Sequence, residues 1–157
     1  MRKFVTSCCV ILVAASLVAL TFTMTSSVVS LEPPLYFVFF DEGAIDITED
    51  EMNTINEVVH LYSEDERYLF DLVGYDDTFG TTDESMTLSI LRVEAVAAEI
   101  IRLGVEPHRV FLSARGEADP LVLTPDGVHE PSNRRVEIRP QCCGNLPPPQ
   151  GEPHRMY

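Results

Sequence analysis

The sequence predicts an α/β domain of the two-layer α+β sandwich kind, ordered βαβαββ, with its helices packed on one mixed sheet. Three observations carry this. Two segments place apolar residues at helical spacing, around residues 52–62 and 93–101. Four short runs, residues 36–40, 67–73, 109–114 and 135–138, are apolar or alternating and too short for helices. The helical segments fall between the first three of these runs, and a turn-rich stretch separates the last two.

Each element has a local cause. Tyr36-Phe37-Val38-Phe39-Phe40 is too short and too aromatic for a helix and reads as a buried strand. Thr48-Glu49-Asp50-Glu51 has the spacing of a capping box, which opens a helix with Met52, Ile55, Val59 and Tyr62 on one face. Residues 67–73 form the second strand, ending at Gly74. A polar loop, residues 76–84, leads to a helix that buries Val93, Val96, Ala97, Ile100 and Ile101 and stops at Gly104. Residues 109–114 make the third strand. Residues 117–132 form a long turn-rich excursion containing Pro120, Pro125-Asp126-Gly127 and Pro131. Residues 135–138 make the last strand, and Pro140 is expected to end regular structure.

The 157 residues suffice for one ordinary domain, residues 36–139, after a linker at 31–35. The formal net charge is −14, and Arg2 and Lys3 are the only charges before Glu32, so residues 31–157 carry −16. That surface repels phosphate polyanions, and no nucleic-acid partner is expected. Lys3 is the only lysine, so the folded part uses arginine for every cation, a planar fork suited to carboxylates.

Residues 1–30 read as an export segment. Arg2-Lys3 form the positive start, and no charge follows until Glu32. A cleaved signal peptide and a membrane anchor that tethers the protein through residues 4–30 are the two readings, since the uncharged run exceeds the roughly 20 residues that span a bilayer. Both place the domain on the exported side. Cys8 precedes the apolar stretch instead of following it, which argues against lipidation there. Cys142-Cys143 belong to a proline-rich flexible tail, residues 140–157, and read as an inert pair or an intermolecular disulfide; a metal site with His154 is the weaker alternative, since two thiols in such a tail make a poor cage. No cofactor and no metal site is expected.

The motifs fall in a distinctive order. Gly74-Tyr75-Asp76-Asp77-Thr78-Phe79-Gly80 is followed by Leu88-Ser89-Ile90-Leu91-Arg92, then by Gly104-Val105, Arg109, Gly116-Glu117, Pro120 and Asn133-Arg134-Arg135-Val136-Glu137-Ile138. This series resembles the OmpA C-terminal-like domain, the peptidoglycan-binding module shared with Pal-type lipoproteins and MotB-type stator proteins. The resemblance runs from about Tyr36 to Ile138. It implies the same architecture of helices on a mixed sheet, and a non-catalytic role in the periplasm or cell envelope, associated with peptidoglycan.

The resemblance also assigns a site. Diaminopimelate in the stem peptide of Gram-negative peptidoglycan ends in an ammonium and a carboxylate, so its receptor needs one anion and one cation side by side. The family's aspartate and arginine correspond to Asp77 and Arg92, with the arginine gripping the carboxylate through parallel donors. Asp41 and Leu88 are expected to border the same pocket. Asn133-Arg134-Arg135 is expected to fix the last strand, with one arginine pairing Glu117. Substituting Asp77 or Arg92 is expected to abolish wall binding with little effect on stability. The family usually has His-Thr or His-Ala where this chain has Tyr75-Asp76, so Asp76 adds a negative charge beside the site.

Other classes fit less well. Asp76-Asp77 could suggest a peptidoglycan hydrolase, but adjacent loop carboxylates usually point apart and no nucleophile–histidine set accompanies them. A stator-type component that conducts protons needs an ionisable group within the membrane, and residues 4–31 contain none. No series of alternating strands precedes the domain to build an outer-membrane barrel.

Overall fold

The computed structural model describes residues 33–142. The expectations for residues 1–30 and for most of the tail lie outside these residues. Along the chain run β1 (Tyr36–Phe39), α1 (Glu49–Tyr62), β2 (Tyr68–Tyr75), α2 (Thr82–Arg102), β3 (Val110–Gly116) and β4 (Arg135–Cys142). Short 3-10 turns at Pro107–Arg109 and Pro131–Asn133 precede the last two strands. The predicted βαβαββ order is observed. Among the described residues no helix is long and apolar enough to cross a membrane.

The sheet is mixed, in the order β1-β4-β2-β3. β2 and β3 are parallel, and α2 lies in the crossover that such a pair requires. β4 runs antiparallel to both β1 and β2. The core lies between the sheet and the helices: Val38, Phe70, Leu72, Val136 and Ile138 meet Ile55, Val58, Val93, Val96 and Ile100, all essentially inaccessible to solvent.

Both helix starts follow from their first residues, with one difference. Thr48 caps α1 by accepting from the Glu51 backbone, without the reciprocal half of the box. The full reciprocal box is at α2, where Thr81 and Glu84 cap each other. α2 therefore begins inside the segment expected to be loop. Its buried stripe starts with Ser85, Ser89 and Arg92 before turning apolar at Val96 and Ile100.

A close approach fixes how α2 lies on β2. A Cβ at Gly74 would stand 2.2 Å from the Ser89 carbonyl oxygen, so only glycine lets the helix backbone sit there. Ser89 Oγ in turn accepts from the Gly116 backbone at 3.1 Å, joining α2 to the end of β3. At the opposite edge of the core, Arg109 is buried and donates to four carbonyls, those of Tyr62, Ser63, Asp65 and Tyr68. It thereby satisfies the C-terminal end of α1 and secures the turn into β2.

Pro140 does not end regular structure. β4 continues to Cys142, with Pro140 opposite Phe70, Gln141 opposite Leu69 and Cys142 opposite Tyr68. The apolar signal fades after Ile138 because the outer face of β4 carries Arg135, Glu137 and Arg139, which pair along the strand. Cys142 is an exposed free thiol at the strand end.

Candidate functional site

The site forms where β2 ends. The β2/β3 register slips between Gly74 and Tyr75, and the Asp76 backbone N–H donates to the Gly116 carbonyl at 2.8 Å. Strand alternation puts Phe70, Leu72 and Gly74 on the helix side, and continuing the count puts Asp76 there too. Arg92 lies one turn beyond Ser89, the residue that touches Gly74. The two meet: Arg92 Nη1 donates to Asp76 Oδ1 at 2.7 Å, with both side chains buried.

The rest of the Arg92 guanidinium is also held. Nε donates to the Ala44 carbonyl at 2.9 Å and Nη2 to the Asp41 carbonyl at 3.4 Å. The Phe40 ring lies 5.3 Å from its centre, a cation–π distance. Burial pushes the Asp76 carboxyl above the ordinary aspartate range, with the Arg92 hydrogen bond working against that rise.

Asp77 has a different partner. Arg134 Nη1 donates to its Oδ2 at 2.8 Å, and the Glu130 backbone N–H donates to the same oxygen at 3.1 Å. The Phe79 N–H reaches Oδ1 at 3.3 Å. Arg134 also donates to the Phe40 carbonyl, while the Phe40 N–H donates back to the Arg134 carbonyl. Two buried Asp–Arg pairs therefore stand side by side, tying the end of β2 to α2, to the chain after β1 and to the segment before β4.

A cleft of about 540 Å³ opens over these pairs. Asp76, Asp77 and Arg134 reach its floor; Leu88 and Phe79 give it apolar wall; Glu42, Asp83 and Glu84 stand among its other lining groups. Phe79 stacks on His129, with ring centroids 3.6 Å apart. With each buried arginine neutralising one aspartate, the further acids leave the cleft negative. It can accept an ammonium and pack an aliphatic chain against Leu88.

Of the expected site residues, Asp77 and Leu88 do line one cleft. Arg92 lies beneath it, fully inaccessible, and Asp76 stands between it and the opening. Asp41 borders a separate depression with Thr48 and Ser132, and reaches Arg92 only through its main-chain oxygen. Glu117 pairs with neither arginine of the Asn133-Arg134-Arg135 motif. It accepts from Thr82 Oγ1, while Arg134 takes Asp77 and Arg135 takes Glu137, two residues along its own strand.

Two further residues line the cleft: Asp76, expected beside the site but not as one of its residues, and Arg134, expected only to fix the last strand. Alternation along β2 was the signal for Asp76. For Arg134 no local pattern exists, because its partner lies 57 residues away.

The OmpA family model matches residues 39–134. An outer membrane protein of Gluconacetobacter diazotrophicus is 36% identical over 109 residues, covering 66% of this chain and 29% of that protein. The probable lipoprotein YiaD of Escherichia coli is 31% identical over 101 residues, covering 64% of this chain and 46% of that protein. The chain thus spans less than half the length of either relative. In fold it is similar to the peptidoglycan-associated lipoprotein of Burkholderia pseudomallei, with a TM-score of 0.63 and 22% identity over 68% of this chain and 90% of that one. The C-terminal domain of Helicobacter pylori MotB gives a TM-score of 0.59 at 22% identity, over 69% of this chain and 85% of that one.

Proposed function

This chain belongs to the OmpA family, and we propose that it binds peptidoglycan without catalysis, through the diaminopimelate end of the stem peptide. The observation that carries the proposal is the pair of buried Asp–Arg contacts on the floor of a negative cleft with an apolar wall. A diaminopimelate chain has methylenes for Leu88 and an ammonium for the carboxylates. Its carboxylate would face the two guanidiniums, Arg134 at the floor and Arg92 beneath Asp76. The likeness in fold to a peptidoglycan-associated lipoprotein supports the same reading.

The commitment of both aspartates to arginines favours binding over hydrolysis. A general acid must carry a proton and deliver it to a leaving group. Asp77 instead accepts from Arg134 and two backbone N–H groups, an arrangement suited to a fixed anion. In this reading the protein resides in the Gram-negative envelope, held on the wall by a weak site facing a dense array of ligands. Any tether through residues 4–30 would add to that retention.

The test is co-sedimentation of the full chain with purified diaminopimelate-type sacculi. Wild type is expected to sediment and to be released by soluble diaminopimelate-containing stem peptide, with no muropeptide liberated. Asp77→Asn, which keeps shape and removes the charge, is expected to stay in the supernatant. Sedimentation of a folded Asp77→Asn protein equal to wild type would place the ligand elsewhere.

A further inference from the structure

Arg92 has the chemistry of a carboxylate receptor but does not face the cleft. Asp76 does, and its Oδ1 already occupies Arg92 Nη1 at 2.7 Å. The main-chain oxygens of Ala44 and Asp41 hold Nε and Nη2, which turns the Nη1 edge toward Asp76. We propose that Asp76 is an internal stand-in for a ligand carboxylate, and that it sets affinity and selectivity by competing with that carboxylate for Arg92. This rests on the stem-peptide reading above.

First, Asp76 both lines the cleft and touches Arg92, so removing its carboxylate opens a path from the cleft to the guanidinium. Second, the hydrogen bond found between them uses one carboxylate oxygen and one guanidinium nitrogen, whereas a ligand carboxylate could engage in parallel pairs. Displacement is therefore feasible but opposed by an anion that is covalently attached and always present. Third, an ammonium gains from Asp76 while a carboxylate is repelled by it. The residue therefore favours the amine over the carboxylate of the same ligand end.

Two tripeptides isolate the effect: L-Ala-γ-D-Glu-meso-diaminopimelate and L-Ala-γ-D-Glu-L-Lys, which share the C-terminal carboxylate and differ by the second carboxylate beside the distal ammonium. Calorimetric titration of the full chain is expected to show the wild type preferring the first by less than about threefold. In Asp76→Asn, and in the smaller Asp76→Ser, affinity for the diaminopimelate peptide should rise about tenfold, a change of roughly 1.4 kcal/mol. Affinity for the lysine peptide should stay level or fall. Adding Arg92→Met should remove the gain.

The absence of a gain in a variant whose circular dichroism shows it folded would overturn the proposal, as would an equal gain for both peptides. If neither variant folds, the wild-type ratio decides, and a preference beyond about tenfold would mean that Arg92 reads the carboxylate unhindered. Loss of sacculus binding in Asp77→Asn without a gain at position 76 would defeat this inference alone. Failure of wild type and both Asp76 variants to bind either peptide would defeat the stem-peptide reading with it.

Discussion

Asp77 accepts its 2.8 Å hydrogen bond from Arg134, not from Arg92, although Arg92 lies far nearer in the sequence. The two ion pairs under the cleft consequently join three segments that meet only in the fold: the end of β2, the middle of α2 and the turn before β4. If the stem peptide binds here, binding and stability share the same buried ion pairs, so substitutions expected to have little effect on stability should also cost folding energy.

Asp77→Ala should accordingly lose both wall binding and stability. It strands Arg134, whose side chain is only 8% exposed, and frees two backbone donors. Breaking a buried ion pair from one side costs on the order of 3–5 kcal/mol. Urea denaturation followed by circular dichroism is the measurement. A midpoint within experimental error of wild type would show that Arg134 finds another partner or water.

The Asp76–Arg92 pair calls for a double-mutant cycle. Arg92→Met alone leaves a buried Asp76 without its cation, and Asp76→Asn alone leaves a buried guanidinium without its anion. Each single change should destabilise by a few kcal/mol, and the double mutant should recover a substantial part of the summed loss. A coupling below about 0.5 kcal/mol would mean that the two groups do not act as a pair.

Much of this architecture was legible in the sequence because it is local. The aromatic strand, the two helical periodicities and the stop at Gly104 each depend on residues within a few positions of one another. The site was half legible for the same reason. Leu88 shares a helix face with Arg92, and Asp77 stands at a strand end, so both could be placed near one opening. What decides which aspartate meets which arginine is not local. It depends on the contact of Ser89 with Gly74 and on a turn residue, Arg134, 57 positions downstream of Asp77. The end of β4 was hidden for a different reason: a proline usually terminates a strand, and here Pro140 is accommodated opposite Phe70.

Gly74→Ala is expected to be among the most damaging single-methyl additions to the domain. The new Cβ would sit 2.2 Å from the Ser89 carbonyl oxygen, so α2 must lift from β2 and carry Arg92 with it. Overpacking typically costs about 1–3 kcal/mol, and contact with backbone rather than a movable side chain places this at or above the upper end. Gly127→Ala serves as the control: its φ of +74° strains a side chain, but no atom lies within 4 Å of the added carbon. Thermal melts should show a much larger fall for position 74. Equal falls would mean that α2 yields freely at that contact.

Truncation separates the strand end from the residues beyond it. A chain ending at Arg139 loses Pro140, Gln141 and Cys142, which pair with Phe70, Leu69 and Tyr68. Pro140 is buried, and the Tyr68 carbonyl is one of those that hold Arg109. The loss should therefore loosen the start of β2 together with the turn that Arg109 secures, at a cost of about 1–3 kcal/mol. A chain ending at Cys142 keeps all three pairings and should melt above the shorter one. Because the cleft lies at the opposite end of β2, sacculus binding at low temperature should survive in both. Identical melting of the two truncations would show that the last three residues of β4 add nothing to the sheet. Loss of binding in the shorter chain while it remained folded would show that the two ends of β2 are coupled.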